Sequence, residues 1–410
     1  MSTYTPPDVG AGTNVTTYQY NFDRQPTLIN RPDGQTIDFG YDSAGWLSTI
    51  TTPSGPYTYG YDSAGRVEVI NAPGGLALGY TYDGSLPLST TWTGAINASV
   101  SRTYDRNFWI QSQRVNGGST ENFVYDNDGL RTGAGSLTLT RNPENGLLAD
   151  TTLGRVADSW TYNSFGESVS YEATMSGSSF YSATYTRDKP GRITDKSETV
   201  SGVTDTYHYT YDDAGGLTEV YRNAILVSQY EYDGNGNRTA FRQPGSGTEV
   251  SATYNDQDRL LTYGPNTYSY SDNGELLSGT GTTGTTTFSY DVIGNLRAVA
   301  LRDTTNIEYV IDGQNRRVGK KVGGALTQGF VYDGRLQIVA ELDGAGNLVS
   351  RFVYGDRDNV PSYMIKGGVT YRIIADHLGS PRLIVNASDG SVAQRIDYDE
   401  FRQCTRRHKS

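Results

Sequence analysis

One short unit, aromatic–x–Tyr–Asp with a glycine soon after, returns along most of the chain and constrains the fold more than any other feature. Clear copies are Phe39-Gly40-Tyr41-Asp42 with Gly45, Tyr59-Gly60-Tyr61-Asp62 with Gly65, Phe123-Val124-Tyr125-Asp126, Tyr209-Thr210-Tyr211-Asp212, Tyr230-Glu231-Tyr232-Asp233, Phe288-Ser289-Tyr290-Asp291 and Phe330-Val331-Tyr332-Asp333. The spacing between neighbouring copies is about 21 residues. A sequence that repeats at such a period uses one supersecondary unit many times over.

The chemistry of the unit identifies it. Strand side chains alternate between faces, so aromatic–x–Tyr places two large rings on one face, the buried one. Asp followed by Gly is turn chemistry: the carboxylate accepts from backbone N–H groups just ahead, and Gly takes positive φ. A second alternating run follows, as in Arg66-Val67-Glu68-Val69-Ile70 or Arg259-Leu260-Leu261-Thr262-Tyr263. Each repeat therefore reads as a β-hairpin, and the whole as roughly thirty strands. Isolated hairpins are marginal in water, whereas stacked ones share a core. The expected fold is all-β: consecutive antiparallel hairpins in one long sheet, which twist forces to curl into a spiral or hollow shell. Residues 132–158 and 172–206 fit the period poorly and are the expected sites of longer loops or an irregular seam.

Composition excludes several classes. Hydrophobic residues are 35% and charged residues 19% of the chain, with 32 Tyr and 49 Gly. Disorder is poor in aromatics and rich in net charge, so a folded, turn-rich β-protein is indicated. No stretch approaches 18 apolar residues and the N-terminus lacks a basic region followed by an apolar core, so neither a membrane span nor a signal peptide is expected in this chain. Cys404 is the single cysteine, which excludes an internal disulfide framework or a cysteine-rich metal site. A net charge of −11 argues against a nucleic-acid partner.

The Tyr-Asp-x-x-Gly-Arg pattern resembles the YD repeats of the Rhs/YD-repeat superfamily, which includes the C-component of Tc toxins, wall-associated proteins and teneurins. The likeness covers residues 18–370, after an N-terminal extension at 1–17. Residues 371–401 resemble the start of the Rhs repeat-associated core, through Asp376-His377-Leu378-Gly379-Ser380-Pro381-Arg382 and Tyr398-Asp399. The resemblance implies a β-shell around a C-terminal effector, freed by a cleavage motif ending in Asp-Pro-x-Gly-Leu. Neither that motif nor an effector occurs in this sequence.

Catalytic constellations are sparse. The three histidines are His208, His377 and His408. Neither HExxH nor GxSxG occurs, His208 reads as a strand residue, and Asp376-His377 is the better acid–base candidate, although it reads first as a turn. Gly279-x-Gly281-x-x-Gly284 has no helix pattern behind it to hold a pyrophosphate. Asp126-Asn127-Asp128 and Asp233-Gly234-Asn235 hint at calcium loops without completing the spacing, so turn aspartate is the stronger reading. No cofactor, metal or catalytic residue is therefore expected.

Three functions stand. The first is a non-enzymatic shell fragment of an Rhs-type toxin or surface protein, enclosing or presenting a missing or separate C-terminal effector. The second is a surface module binding glycan or another cell, and the third a glycan-active enzyme. Placement outside the cell or on its surface, as part of a longer protein, follows from the first two. Residues 402–410 break the pattern: where a turn glycine is due comes Arg402, then Cys404 and several basic residues. One reading is a solvated basic terminus of the kind that contacts nucleic acid or a membrane surface; the favoured one is an aberrant tail left by a frameshift or premature end, disordered and dispensable for stability.

Overall fold

The computed structural model describes residues 2–10 and 14–409; Met1, residues 11–13 and Ser410, which fall within the expected extension and tail, lie outside the described residues. The described residues form 39 strands of one sheet, and no helix. Described strand pairs join neighbours in sequence and run antiparallel. Thr36–Tyr41 pairs with Leu47–Thr52, that strand with Gly55–Tyr61, and the next with Val67–Ala72. The strand number exceeds the expected thirty because the poorly periodic stretches are strands as well.

By contact the chain forms two compact units, residues 1–100, 230–331 and 342–347, and residues 101–229, 332–341 and 348–410. Each combines early and late repeats. In the first unit Trp92, Leu78 and Val318 are buried, and the Trp92 indole N–H donates to Asp312 at 3.1 Å. In the second, Leu137, Leu139, Leu153 and Tyr363 form one cluster, and Val156, Tyr181, Ile374 and Leu383 another.

The turn follows one plan. In the copy at Asp62, the backbone N–H of Asp62 donates to Arg66 O (2.9 Å) and that of Gly65 to Asp62 O (3.0 Å). Asp62 Oδ1 accepts from the N–H groups of Ala64 and Arg66 at 2.9 and 3.0 Å. Asp42, Asp126, Asp233, Asp291, Asp376 and Asp399 do the same, each accepting from the residues two and four ahead. At Asp212 the structure gives the bond four ahead, from Gly216 N–H at 2.7 Å. The fourth position adopts positive φ, as at Gly65 (79°), and the register slips by one residue between Gly60 and Tyr61, a bulge of the glycine type. The candidate calcium loops at Asp126 and Asp233 are turns of this kind.

The tyrosine completes the unit. Tyr61 Oη donates to Leu47 O at 2.7 Å, and Leu47 opens the strand just beyond the Asp42 turn. Tyr41 reaches Pro26 O (2.8 Å), Tyr125 Ile110 O (3.0 Å) and Tyr211 Ile193 O (2.7 Å), each at the first residue of a strand in the preceding repeat. The residue four beyond Asp packs on the next Tyr: the Trp46 and Tyr61 ring centroids lie 5.1 Å apart, and the Arg66 guanidinium sits 4.7 Å above the Tyr82 ring. These rings are mostly half-buried, not sealed in a core, because the hydroxyl and the ring edge line the turn ends of the sheet.

Two expectations are corrected. Residues 132–158 and 172–206 are no seam: they supply the regular pairs from Leu137–Arg141 to Val203–Tyr211, including the ten-residue strand Ser178–Arg187. They lack the aromatic signature because Leu, Val, Ala and Tyr alternate inward there, as in Leu137-Thr138-Leu139 with burial in every second position. Nor is the basic end unstructured. Cys404–Lys409 pairs antiparallel with Val392–Tyr398, with Asp397 opposite Arg406. The missing glycine does not stop the turn, since Arg402 itself takes φ 62°, as Phe108 (65°) and Thr304 (68°) do at the same turn position. Such a residue pays about 1–2 kcal/mol for the left-handed conformation, which the turn bonds offset.

Removing the Tyr61 hydroxyl leaves the Leu47 carbonyl without its donor. Tyr61→Phe is therefore expected to lower unfolding free energy by about 0.5–1.5 kcal/mol, the net worth of one hydrogen bond. Urea unfolding of the variant checks this, and an unchanged midpoint would contradict the role assigned to the hydroxyl.

Candidate functional site

The motif Asp376 to Arg382 lies in the second unit, between the strands Val369–Ala375 and Pro381–Asn386, whose middles are buried. Asp376 caps its turn through Leu378 and Ser380 N–H, and Gly379 has φ 86°. A side chain at Gly379 would meet Val360 Cγ2 at 2.8 Å, so the close approach of residue 360 also requires glycine there. Pro381 opens its strand opposite Ala375. The site is thus a repeat turn with Ala375 in the tyrosine's place.

Behind this turn lie two buried charged networks. Arg372 donates through Nε to Asp158 Oδ2 at 2.8 Å and through Nη2 to the same oxygen. Asp158 also accepts from Thr151 Oγ1 (2.6 Å) and Tyr171 Oη (3.1 Å). Burial alone would depress the Arg372 guanidinium, but Asp158 and Tyr171 raise its pKa above the ordinary value. In the second network Arg382 contacts Glu198 at 3.0 Å and Asp397 at 3.3 Å, and donates to Ile396 O at 3.0 Å. Tyr181 Oη donates to the other Glu198 oxygen at 2.8 Å. Burial pushes the Tyr171 and Tyr181 hydroxyls well up, reinforced by their carboxylate neighbours. Taking away one partner of such a buried pair is far more costly than the pair is worth.

His377 packs its ring on Tyr185, centroids 4.9 Å apart, and its buried Nδ1 has no hydrogen-bond partner. A cavity of about 250 Å³ lies on this side, walled by Trp160, Tyr171, Tyr185, Arg372 and His377. Burial pushes the imidazole pKa down to about 4 from 6.5, with Asp376 opposing and Lys196 adding to the fall. The ring is therefore neutral near pH 7. Asp376 Oδ1 accepts from backbone N–H groups and His377 Nδ1 has no partner, and no hydrogen bond joins the adjacent carboxylate and imidazole as a dyad among the described residues.

The remaining sequence candidates are dispersed. Asp399 caps the turn into the last strand, with Tyr398 opposite Cys404. His208 is exposed and bonds Asp195 at 2.8 Å. Asp333, read as a turn residue, directs its carboxylate to Arg102 and Gln113. Gly279, Gly281 and Gly284 fall in the strand pair Leu276–Gly281 and Gly284–Tyr290. Sequence reasoning missed Asp158, Glu198 and Arg372. For Asp158 the signal was present, since period two sets it on the face of buried Val156.

The teneurin YD-shell profile matches residues 1–405. The chain belongs to the teneurin YD-shell family. Among its relatives, the tRNA3(Ser)-specific nuclease WapA of Bacillus spizizenii is 27% identical over 199 residues, 47% of this chain and 8% of that protein. Teneurin-3 of Mus musculus is 27% identical over 227 residues, 54% of this chain and 8% of its own length. The chain thus aligns with under a tenth of either relative. The crystal structure of TcdB2-TccC3-TEV superposes with a TM-score of 0.69 at 13% identity, covering 98% of this chain and 24% of that one. At that identity the likeness establishes a shared fold. The Rhs/YD-repeat resemblance of the sequence and the expected all-β fold of consecutive antiparallel strands are both confirmed in this YD-shell protein.

Since His377 is neutral and buried when folded but titrates near 6.5 when unfolded, the native state binds fewer protons between these values. Its contribution to stability is complete above pH 6.5 and is lost as pH falls toward 4. The His377→Phe variant, which keeps a ring against Tyr185, should show a shallower decline of thermal midpoint over that interval than the parent chain. Parallel profiles would contradict the burial of a neutral imidazole.

Proposed function

We propose that this YD-shell chain is a non-catalytic length of shell wall whose work is to enclose or present a passenger segment of a longer protein at the cell surface or outside the cell. The observation that carries this reading is where the repeat's polar groups go. Turn carboxylates cap backbone N–H groups and tyrosine hydroxyls bond backbone carbonyls, so the signature residues are consumed in building wall. Membership in the YD-shell family and the fold shared with the TcdB2-TccC3-TEV structure support it. The nuclease activity in the WapA name is not proposed for this chain, because the stretch in common is 8% of that protein.

A reporter peptide with protease sites, joined to the C-terminal end, tests the reading. Limited proteolysis should cut it at least about tenfold more slowly than the free peptide, as expected where access requires opening of the surrounding structure. Equal rates would overturn enclosure. Saturable binding to arrayed glycans, with equal rates, would favour a carbohydrate or adhesion module instead. Spontaneous, protease-free cleavage of the purified chain into two discrete fragments would overturn the non-catalytic part.

A further inference from the structure

A second cavity of the same unit, about 750 Å³, opens on the other side of His377. Its walls come from Ile193–Val200, Val203–Tyr211, Val392–Tyr398 and the final strand Cys404–Lys409. Eight of its lining residues are Arg or Lys and six are Asp or Glu, an excess of positive charge in a chain whose net charge is −11.

The excess is concentrated. Glu198 faces both Lys196, at 3.7 Å, and Arg382, at 3.0 Å. Asp397 faces Arg382 at 3.3 Å and Arg395 at 3.0 Å, and lies opposite Arg406 on the neighbouring strand. Three cationic side chains thus converge on two carboxylates, and Arg406 lines the same cavity from the neighbouring strand. Beside them Tyr207 offers a flat wall: Lys196 Nζ is 4.1 Å from its ring centroid, and the Tyr209 ring lies 6.2 Å away and nearly parallel, at 5°. Arg222, half exposed at the mouth, bonds Asp205 at 2.5 Å and also approaches the Tyr207 ring. Burial lowers the Lys196 pKa, the sign of an ammonium whose surroundings do not fully solvate it.

We propose that this cavity binds a small organic dianion, whose oxyanion groups meet Lys196, Arg395 and Arg406 and whose body lies against Tyr207. Guanidinium forks suit carboxylate and phosphate oxygens equally, and the volume is that of a small-molecule site. A dianion neutralises the excess of two positive charges among the lining residues, eight basic against six acidic. The cavity is walled by the last strand, so the basic segment that looked like an aberrant tail contributes ligand-binding side chains. The site stands independently of the passenger reading, since it needs only the second unit.

The test is calorimetric titration of the whole chain with phenyl phosphate and with succinate in 150 mM salt, with the neutral compound phenol as control. Binding of either dianion at Kd of about 1 mM or tighter is expected, a value that 750 Å³ of mixed polar and aromatic wall readily supports. Arg395→Gln and Lys196→Met should each weaken it at least about tenfold, the scale of one charge-assisted contact. Arg406→Gln, on the exposed final strand, should weaken binding without altering the thermal midpoint of the free chain. Phosphate binding alone, or carboxylate binding alone, names the preferred oxyanion within the proposal. The proposal is overturned by no binding of either dianion at 10 mM, by comparable heat from phenol, or by Arg395→Gln and Arg406→Gln chains that bind as the parent does.

Discussion

The bond from a YD tyrosine hydroxyl to the carbonyl at the start of a strand in the preceding repeat, made by Tyr41, Tyr61, Tyr125, Tyr211 and others, is the interaction on which the architecture depends. An aspartate-capped turn delivers a strand whose first carbonyl is otherwise left at the sheet's rim, and the tyrosine of the next repeat supplies its donor. Tyr61 to Leu47, Tyr82 to Val67 and Tyr254 to Arg238 show the same step in different repeats, at 2.7, 2.7 and 3.0 Å. In these repeats the hairpin is thereby fixed in register to the one before it. The tyrosine ring contributes contact area as well, stacking under Trp46 or Arg66 in a way an aliphatic side chain would not.

This economy explains a composition that looks too polar for a large fold. With 35% hydrophobic residues the chain cannot rely on a thick apolar core throughout. Local turn bonds and cross-repeat tyrosine bonds satisfy the rim, and small buried residues such as Ala173, Val220 and Ala340 suffice between strands. Where the tyrosine signature lapses, in residues 132–158 and 172–206, burial deepens instead, and Leu137, Leu153, Val156 and Tyr181 take over. The two devices alternate along one sheet.

The hairpin, its turn and the antiparallel order were legible in the sequence because each is a local consequence of spacing: period two for the rings, Asp and Gly for the reversal. The regularity of the quiet stretches was not, because inward alternation of Leu, Val and Ala carries no landmark residue. The order of the final segment Cys404–Lys409 was missed for a related reason. Arg402 was read as the loss of an obligatory glycine, yet the aspartate cap at Asp399 holds a non-glycine residue at φ 62°. At the candidate site, Asp376 to Arg382 were visible as a motif, whereas Asp158, Glu198 and Arg372 were not found. Their partners are 214 and 184 residues away in sequence, for Arg372 with Asp158 and Arg382 with Glu198, and only the fold brings them together.

Native-state hydrogen exchange read by mass spectrometry, amide by amide, tests the central claim most directly. The N–H groups of Ala44, Trp46, Ala64 and Arg66 sit in turns, and in an ordinary surface loop they would exchange almost freely. Bonded to the Asp42 and Asp62 carboxylates, they should instead be protected to the same degree as the strands Thr36–Tyr41 and Gly55–Tyr61, and in Tyr61→Phe their protection should fall together with that of those strands by about two- to tenfold, the factor that loss of one hydrogen bond gives. Turn amides that exchange at the rate of open loops, or strands whose protection is unchanged when the tyrosine hydroxyl is removed, would contradict the account.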